Sequence, residues 1–471
     1  MNRRGFLRSA GVASAGLVFS KSEPLPAKET AISHDSSHPN PPTTDFQMLN
    51  HLRRAIVEYY LNESNPKNGL IADTTQPGSA SSIAATGMGL TVYIVAVERG
   101  ILSRADAVGR TLALLRFLHS SRQGPEPDAT GYKGFYYHFL DMQTGRRALN
   151  CELSTVDTAI LIAGVLTAAG YFTAKDDQES EIRKLAEILY RRIDWQWALD
   201  KGTTISHGWK PESGFLPYRW DTGYSEAIIL YALALGSPTH PANPQGYKDW
   251  ISTFEVKKIY GIEYLYAGPL FIHQMSHLWL DFRGIHDDFN KSAGFDYFEN
   301  SRRATYVHRQ YGIENPLGFA HYSEYVWGLT ASDGPGNAVL EVDGVQRVFF
   351  DYVARGAPFG PDDGTISPWA VATSVPFAPE IVIKTIRHFI ERLQMTGRRP
   401  YGLVASFNPT YPHAADTHAW TSQWIFGLNE GPILMMIENF HTALIWKTVQ
   451  RCPYIAQGLR RAGFRGGWLG G

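Results

Sequence analysis

Carboxylic acids stand among aromatic side chains near residue 140, a combination typical of a site that breaks glycosidic bonds. Asp141 follows the aromatic pair Tyr136 and Tyr137. Glu152 and Asp157 come next, just before a long apolar run. Aromatic faces can stack on sugar rings, and a pair of carboxyl groups can handle the proton transfers at the anomeric carbon. The structural alternative is that Asp141 forms a turn and Asp157 caps a helix.

Three later segments, residues 207–233, 318–336 and 408–432, repeat this combination of acids, aromatic residues and glycines. In the first of them Glu226 is expected in the first turn of an apolar helix, where the helix dipole favours a carboxylate. In the last, Asp416 is one of the acids. Four segments of like composition are expected to line one shared groove.

The composition favours a neutral carbohydrate as partner. The formal net charge is −1, so the chain has no general attraction for nucleic acid or anionic lipid. The 24 Tyr and 12 Trp suit a carbohydrate groove, with a large aromatic core as the alternative. The two cysteines form no CxxC motif, and His273 and His277 lack the glutamate of a zinc-binding helix. We therefore expect no metal and no cofactor.

The first 30 residues are expected to be an export signal. Arg3 and Arg4 precede a weakly apolar run, which resembles a twin-arginine signal peptide over residues 1–30. This run is too short to stay in a bilayer. Residues 31–44 are rich in Pro, Ser and His and are predicted to be a disordered linker. We expect a periplasmic or secreted protein without a membrane anchor, and a monomer.

From residue 45 the dominant pattern is helical. Runs that are apolar on nearly all sides, such as 82–100 and 225–237, alternate with amphipathic runs. This alternation predicts an all-α fold, an (α/α)6 barrel of six helical hairpins with long loops, as one domain over 45–460. A helical protein of two domains is the alternative. Strand signals allow at most a small β-hairpin, at 338–354, with its turn at Asp343-Gly344.

Longer motifs between residues 45 and 450 point to a known family. They read GFYYHFLD, ELSTVDTAILIAG, YRWDTGYSEA, YVWGLTASDGP, SPWAVATSVPFAPE and GLNEGPILMMIENFHTALIW. The chain thus resembles the glucoamylase-like domain of glycoside hydrolase family 144. The resemblance implies an (α/α)6 barrel and endo-acting hydrolysis of β-1,2-glucan to sophorooligosaccharides, with inversion at the anomeric carbon. A related domain in cyclic β-1,2-glucan synthases carries out transglycosylation, so the fold alone leaves the outcome open.

The resemblance also implies where the acids of the site lie. The acidic positions of the family fall on Asp141, Glu152, Asp157, Glu226 and Glu324. The chain departs from the family where many members read Asp-Gln-Gly-Pro, because the matching residues here are Asn-Glu-Gly-Pro, residues 429–432. Asn429 cannot serve as a base, so either Glu430 or another loop would have to supply that group.

We predict that Glu226 and Glu152 form the catalytic pair and that Asp141 is the next candidate. The predicted substrate-binding residues are Tyr136, Tyr137, Asp157, Trp209, Tyr218, Trp220, Glu324, Trp327 and Trp420. Three alternatives remain open at this point: a retaining transglycosylase, a hydrolase of another glucan, and a glycan-binding protein without activity. The number of acids argues against the last of these.

Overall fold

The computed structural model describes residues 44–397, 401–413 and 417–470. The predicted signal peptide, all of the predicted linker except Thr44, and Asp416 lie outside the described residues. The described helices are α1 Asp45–Asn62, α2 Ile83–Glu98, α3 Arg104–Ser120, α4 Thr155–Tyr171, α5 Asp177–Arg191, α6 Ile228–Gly236, α7 Pro244–Ile251, α8 Asp288–Ala293, α9 Tyr297–Glu314, α10 Pro368–Thr373, α11 Pro379–Glu391, α12 Gly427–Thr442, α13 Leu444–Val449 and α14 Pro453–Ala462. Two 3-10 turns, Leu270–His273 and Met275–Leu278, lie between α7 and α8.

Inner and outer elements alternate along the chain and close into a ring. The inner elements are α2, α4, α6, the pair of 3-10 turns, α10 and α12, and neighbours in this order pack together. The 3-10 turns join the ring through Ser276, which accepts the backbone N–H of Ile229, and through Gln274, whose amide donates to the carbonyl of Ala370. The outer elements are α1, α3, α5, α7, α9 and α11. This arrangement confirms the predicted all-α class and the ring of six hairpins.

The inner helices α4 and α6 pack tightly because nearly all of their side chains are apolar or small. Every residue of α6 is buried, as are the first 14 residues of α4. Where α2 crosses α4, Gly87 and Gly164 meet backbone to backbone, so that a Cβ on Gly164 would lie 2.0 Å from the Gly87 carbonyl oxygen. The outer helix α5, by contrast, buries one face only.

Short strands connect the loops at one end of the ring. They are β1 Ser81–Ser82, β2 Gly131–Tyr132, β3 Phe135–Tyr137, β4 Phe139–Leu140, β5 Leu153–Ser154, β6 Gly208–Lys210, β7 Gly214–Phe215, β8 Val256–Ile259, β9 Ile262–Leu265, β10 Ala331–Ser332, β11 Ala338–Val342, β12 Val345–Phe349, β13 Val353–Ala354, β14 Phe407–Asn408 and β15 Trp420–Thr421. Strands β2, β3, β5, β6 and β7 form one five-stranded sheet, which ties the first acid-rich segment to the second.

The predicted β-hairpin is present as β11 and β12. Its turn residues Asp343 and Gly344 both have positive φ, 51° and 75°, as a tight two-residue hairpin turn requires. Most of the other strands are two or three residues long, so no alternation of apolar and polar residues marks them in the sequence. The structure therefore has more strands than the single hairpin expected.

Other sequence features have structural roles. Cys151 and Cys452 are both free, and burial raises the pKa of the Cys151 thiol to about 12. His273 and His277 are buried in the ring, where desolvation lowers the pKa of each. In the described part of the chain, no group of acids, cysteines and histidines is arranged to hold a metal ion. Nor is any helix there long and apolar enough to span a membrane.

Candidate active site

A small cavity lies where the inner elements of the ring begin. Its volume is about 60 Å³. Each of α4, α6, the first 3-10 turn, α10 and α12 contributes a residue from its first turn or from the segment just before it. The polar lining is His138, Asp157, Glu226, Tyr352 and Asn429, and the apolar lining is Ile160, Phe271, Met275, Ala331, Trp369 and Leu428. The N-terminal ends of α4, α6 and α12 thus lie close to this cavity.

Glu226 lies between this cavity and a larger one. It is 6% exposed and lines both spaces. Ser276 holds its backbone, because the Ser276 hydroxyl donates to the Glu226 carbonyl at 2.8 Å. The sequence had predicted that Glu226 lies in the first turn of α6. The helix begins at Ile228, however, so Glu226 precedes it. The helix begins later because residues 226–227 form a turn just before it.

The larger cavity, of about 310 Å³, is lined by aromatic side chains. Trp220 stacks on His207 with ring centroids 3.8 Å apart, and its indole N–H donates to Thr155 at 3.1 Å. Tyr224, Tyr266 and Phe359 form other parts of the wall. Phe359 is 67% exposed, and burial raises the pKa of Tyr224 and of Tyr266. Aromatic rings with polar groups between them are suited to binding sugars.

Glu152, His138 and Asp157 form a buried row of charged and polar groups. Glu152 Oε1 lies 3.0 Å from His138 Nδ1, and His138 Nε2 lies 3.5 Å from Asp157 Oδ2. The hydroxyl of Ser154, the N-cap of α4, donates to the same Asp157 oxygen at 2.6 Å and accepts the Asp157 backbone N–H at 3.2 Å. Asp157 therefore belongs to the helix cap and also lines the cavity. Glu152 is fully buried behind His138 and does not line it.

Asp141 and Glu324 lie at the protein surface. The Asp141 carboxylate accepts the backbone N–H groups of Gln143 and Thr144, which makes an Asx turn. These bonds, led by the one from Thr144, hold the pKa of Asp141 below its usual value. Glu324 is exposed and forms an ion pair with Arg309 at 3.0 Å. Neither acid lines the two cavities.

Of the predicted sugar-binding aromatics, only Trp220 lines either of the two cavities. Tyr136 and Tyr137 are buried in the sheet, and Trp327 is buried with its indole N–H on Thr385. Trp209 packs against the rings of Tyr132 and Trp197. The ring centroid of Tyr218 lies 6.1 Å from that of His207. Trp420 belongs to strand β15. Their role as sugar-binding residues remains a prediction.

The structure also brings polar groups to the site that were not predicted as site residues. They include His138, Tyr352 and Asn429 at the small cavity and His207, Arg219, Thr222 and Ser225 at the larger one. Two of these residues could have been identified from the sequence. His138 stands between the aromatic pair and Asp141, and Asn429 stands where the chain departs from the family motif. The next residue, Glu430, is fully buried on another side of α12, and Gly402 lies beside its carboxyl. Glu430 therefore does not take the place of Asn429 at the cavity.

Carboxyl groups beside a cavity lined with aromatic rings form an arrangement that glycoside hydrolases use. The family model described as "Putative glucoamylase" matches residues 217–453, which is half of the chain. The chain belongs to this glucoamylase-like family of glycoside hydrolases.

Solved structures and a curated relative support this assignment. A "putative glucoamylase" from Bacteroides uniformis is 30% identical, with a TM-score of 0.79, over 90% of this chain and 99% of its own. An endo-β-1,2-glucanase from Chitinophaga pinensis has the same fold, with 24% identity, a TM-score of 0.77, and 90% and 100% of the two chains covered. An exo-β-1,2-glucooligosaccharide sophorohydrolase from Parabacteroides distasonis is 28% identical over 89% of this chain. The match spans 58% of that relative's length.

Proposed function

We propose that this protein hydrolyses β-1,2-linked glucan and that Glu226 is one of the two carboxyl groups that act. The observation that supports it best is the position of Glu226, buried between an aromatic cavity and a small polar one. A partly apolar surrounding suits a general acid, because burial favours the protonated carboxyl. The names of the sophorohydrolase and the endo-β-1,2-glucanase support β-1,2-glucan as the substrate.

We further propose that cleavage is internal and inverts the anomeric centre. Internal cleavage follows the motifs of the resemblance, and the curated relative, named as exo-acting, is matched over 58% of its length only. In an inverting reaction one carboxyl group protonates the leaving oxygen while the other activates a water molecule on the opposite face of the sugar. The released sugar would then first carry the α configuration.

The test is incubation of the purified protein with linear β-1,2-, β-1,3- and α-1,4-glucans. We expect new reducing ends from β-1,2-glucan alone, a mixture of chain lengths from the start, and an α anomer in the first NMR spectra. Release of sophorose only would indicate an exo mode, and a β anomer or longer products would indicate a retaining transglycosylase. Binding without new reducing ends would contradict the proposal.

The variant that tests the site is Glu226→Gln. It should lower kcat about 1,000-fold or more, because the amide is too weak an acid to protonate the leaving oxygen. Glu181→Gln is the matched control, since Glu181 forms an exposed ion pair with Arg116 on the outer helix α5. The control should keep the activity of the unmodified protein. Near-normal turnover by Glu226→Gln would remove Glu226 from the mechanism.

We also propose that the protein is exported through its twin-arginine-type signal and acts in the periplasm or outside the cell as a monomer. The support for export is the sequence of residues 1–30 alone. Replacement of Arg3 and Arg4 by Lys should retain the protein inside the cell, as measured by fractionation. Light scattering on the purified protein should give the mass of one chain.

A further inference from the structure

We infer that the small cavity is the water site of this hydrolysis and that Asp157 is the base that takes the proton from the attacking water. The inference rests on the proposed function. In the described part of the chain, Asp157 and Glu226 are the two carboxylates that line this cavity. Glu226 also faces the aromatic cavity, whereas Asp157 does not. The two acids are therefore placed differently with respect to a bound sugar.

The volumes of the two cavities indicate which molecule each can hold. The cavity at Asp157 has a volume of about 60 Å³, which is room for a few water molecules. A pyranose ring with its hydroxyl groups needs much more space, and the neighbouring cavity of about 310 Å³ provides it. With a sugar in the larger cavity, its anomeric carbon can lie beside Glu226 with water behind it. The polar groups of Tyr352 and Asn429 can hold that water.

Asp157 is held by groups that keep it ready to accept a proton. The Ser154 hydroxyl donates to Oδ2 at 2.6 Å, and the N-terminus of the 17-residue helix α4 favours the ionised carboxylate. His138 Nε2 faces the same oxygen at 3.5 Å, and its Nδ1 is held by Glu152 at 3.0 Å. Glu152 thus orients the His138 ring towards Asp157, as the third member of a catalytic triad orients its histidine. Both are positioning residues.

Hydrolysis moves one proton at each of the two carboxyl groups. The water oxygen forms a bond to the anomeric carbon and gives one proton to Asp157. The bond from the anomeric carbon to the glycosidic oxygen breaks, and that oxygen takes the proton of Glu226. The products are a sugar with a free anomeric hydroxyl and a sugar with a free alcohol. Asp157 is then protonated and Glu226 ionised, and exchange with solvent restores both. Asn429 can orient the water, but its amide accepts no proton.

The test is the pair Asp157→Asn and Asp157→Ala in the full-length protein acting on β-1,2-glucan. Asp157→Asn keeps the size of the side chain and should lower kcat about 1,000-fold with little change in KM. In Asp157→Ala, added azide should restore turnover and form a glycosyl azide of α configuration, because azide attacks without losing a proton. Asp157→Asn with a kcat within tenfold of the unmodified protein, or a folded Asp157→Ala that azide does not rescue, would overturn the inference.

The chain offers a close control for the structural part of this role. Asp106 takes the same place in α3, where the Ser103 hydroxyl donates to it at 2.7 Å and accepts its backbone N–H at 3.1 Å. It is exposed and does not line the cavity. Asp106→Asn should therefore cost a similar part of helix stability and leave kcat unchanged. Loss of kcat in this control as well would show that the cap, and not the cavity, explains the Asp157 variants.

Two further variants test the positioning residues. Glu152→Gln and His138→Gln should each lower kcat by about tenfold to 100-fold and shift the pH profile of kcat, with KM unchanged. A change in thermal unfolding with no change in the pH profile of kcat would contradict this part of the inference. If the unmodified protein cleaved no glucan, the proposed function and the inference would both fail. If it cleaved β-1,2-glucan and Asp157→Asn did too, the inference alone would fail.

Discussion

At the scale of single residues, the surroundings of each carboxyl group separate the acids by role. Asn429 and Glu430 are neighbours in the first turn of α12, yet they face different sides because successive residues of a helix point in different directions. Asn429 lines the small cavity. Glu430 is buried, and among the described residues its Oε2 has no hydrogen-bond partner. Burial raises the pKa of Glu430 well above its usual value, which favours the protonated carboxyl in the folded protein.

Replacement of Glu430 by Gln should make stability less dependent on pH. The folded protein holds the Glu430 proton to a higher pH than the unfolded chain does, so the free energy of unfolding falls as the pH rises above about 4.5. The stability of Glu430→Gln relative to the unmodified protein should therefore increase by about 1.4 kcal/mol per pH unit until the folded pKa is reached. Urea unfolding between pH 5 and pH 8 measures this difference.

The exposed residue Glu58 on α1 supplies the control for that experiment. Glu58→Gln should change the free energy of unfolding by the same small amount at every pH in the series. A stability difference for Glu430→Gln that stayed constant from pH 5 to pH 8 would mean that Glu430 is ionised in the folded protein.

At the scale of elements, the close crossing of α2 and α4 decides how the helix that carries Asp157 is placed. Gly164 lies against the Gly87 carbonyl, and a Cβ on Gly87 would in turn lie 2.4 Å from the Leu161 backbone. The two helices can approach this closely only because neither position has a side chain. Their contact sets the distance of the N-terminus of α4 from the centre of the ring.

Gly164→Ala should destabilise the protein, because the new methyl group must push two inner helices apart. We expect a loss of about 3 kcal/mol in the free energy of unfolding. Gly109→Ala is the matched control in the outer helix α3, where a Cβ meets no atom within 4 Å. It should raise stability by about 0.5–1 kcal/mol through better helix propensity. Thermal unfolding of the two variants should therefore move in opposite directions, and equal shifts would contradict the crossing argument.

At the scale of the whole molecule, a buried ion pair ties the start of the ring to its end. Glu438 of α12 accepts from Arg53 of α1 at 2.8 Å and from Arg99, just after α2, at 2.8 and 2.5 Å. Burial acts to raise the pKa of Glu438, but the bonds from Arg99 and Thr442 outweigh it and the pKa is lowered. The first hairpin is thereby fixed to an inner helix nearly 400 residues later in the chain.

Glu438→Gln should weaken this closure. It leaves the guanidinium of Arg53 buried without a partner charge, and we expect a loss of about 3 kcal/mol in the free energy of unfolding. Glu181→Gln, which breaks the exposed pair with Arg116, should cost less than about 1 kcal/mol. Urea or thermal unfolding compares the two. Equal losses would mean that the Glu438 pair closes the ring no more firmly than a surface contact.

The sequence was informative about elements and less so about side chains. The apolar helices and the β-hairpin turn were predicted because helical period and turn chemistry are local properties of the chain. Glu226 and Asp157 were both named from their aromatic surroundings. Their sequence patterns, however, look much like those of Asp141 and Glu324, which the structure places at the surface. The Asx turn of Asp141 was already present in the sequence as the structural alternative.

By itself, therefore, the sequence determined an all-helical ring and a set of loops that combine acids with aromatic residues. Only the tertiary structure decided which of those acids share a cavity. Asp157, Glu226 and Asn429 come from three inner elements separated by up to 272 positions, and they meet because closing the ring brings the N-terminal ends of these elements together. Asp157 lines the cavity and Glu152, five residues away, does not. This difference also depends on packing between distant segments, because local spacing does not determine which side chain faces the centre of a closed ring.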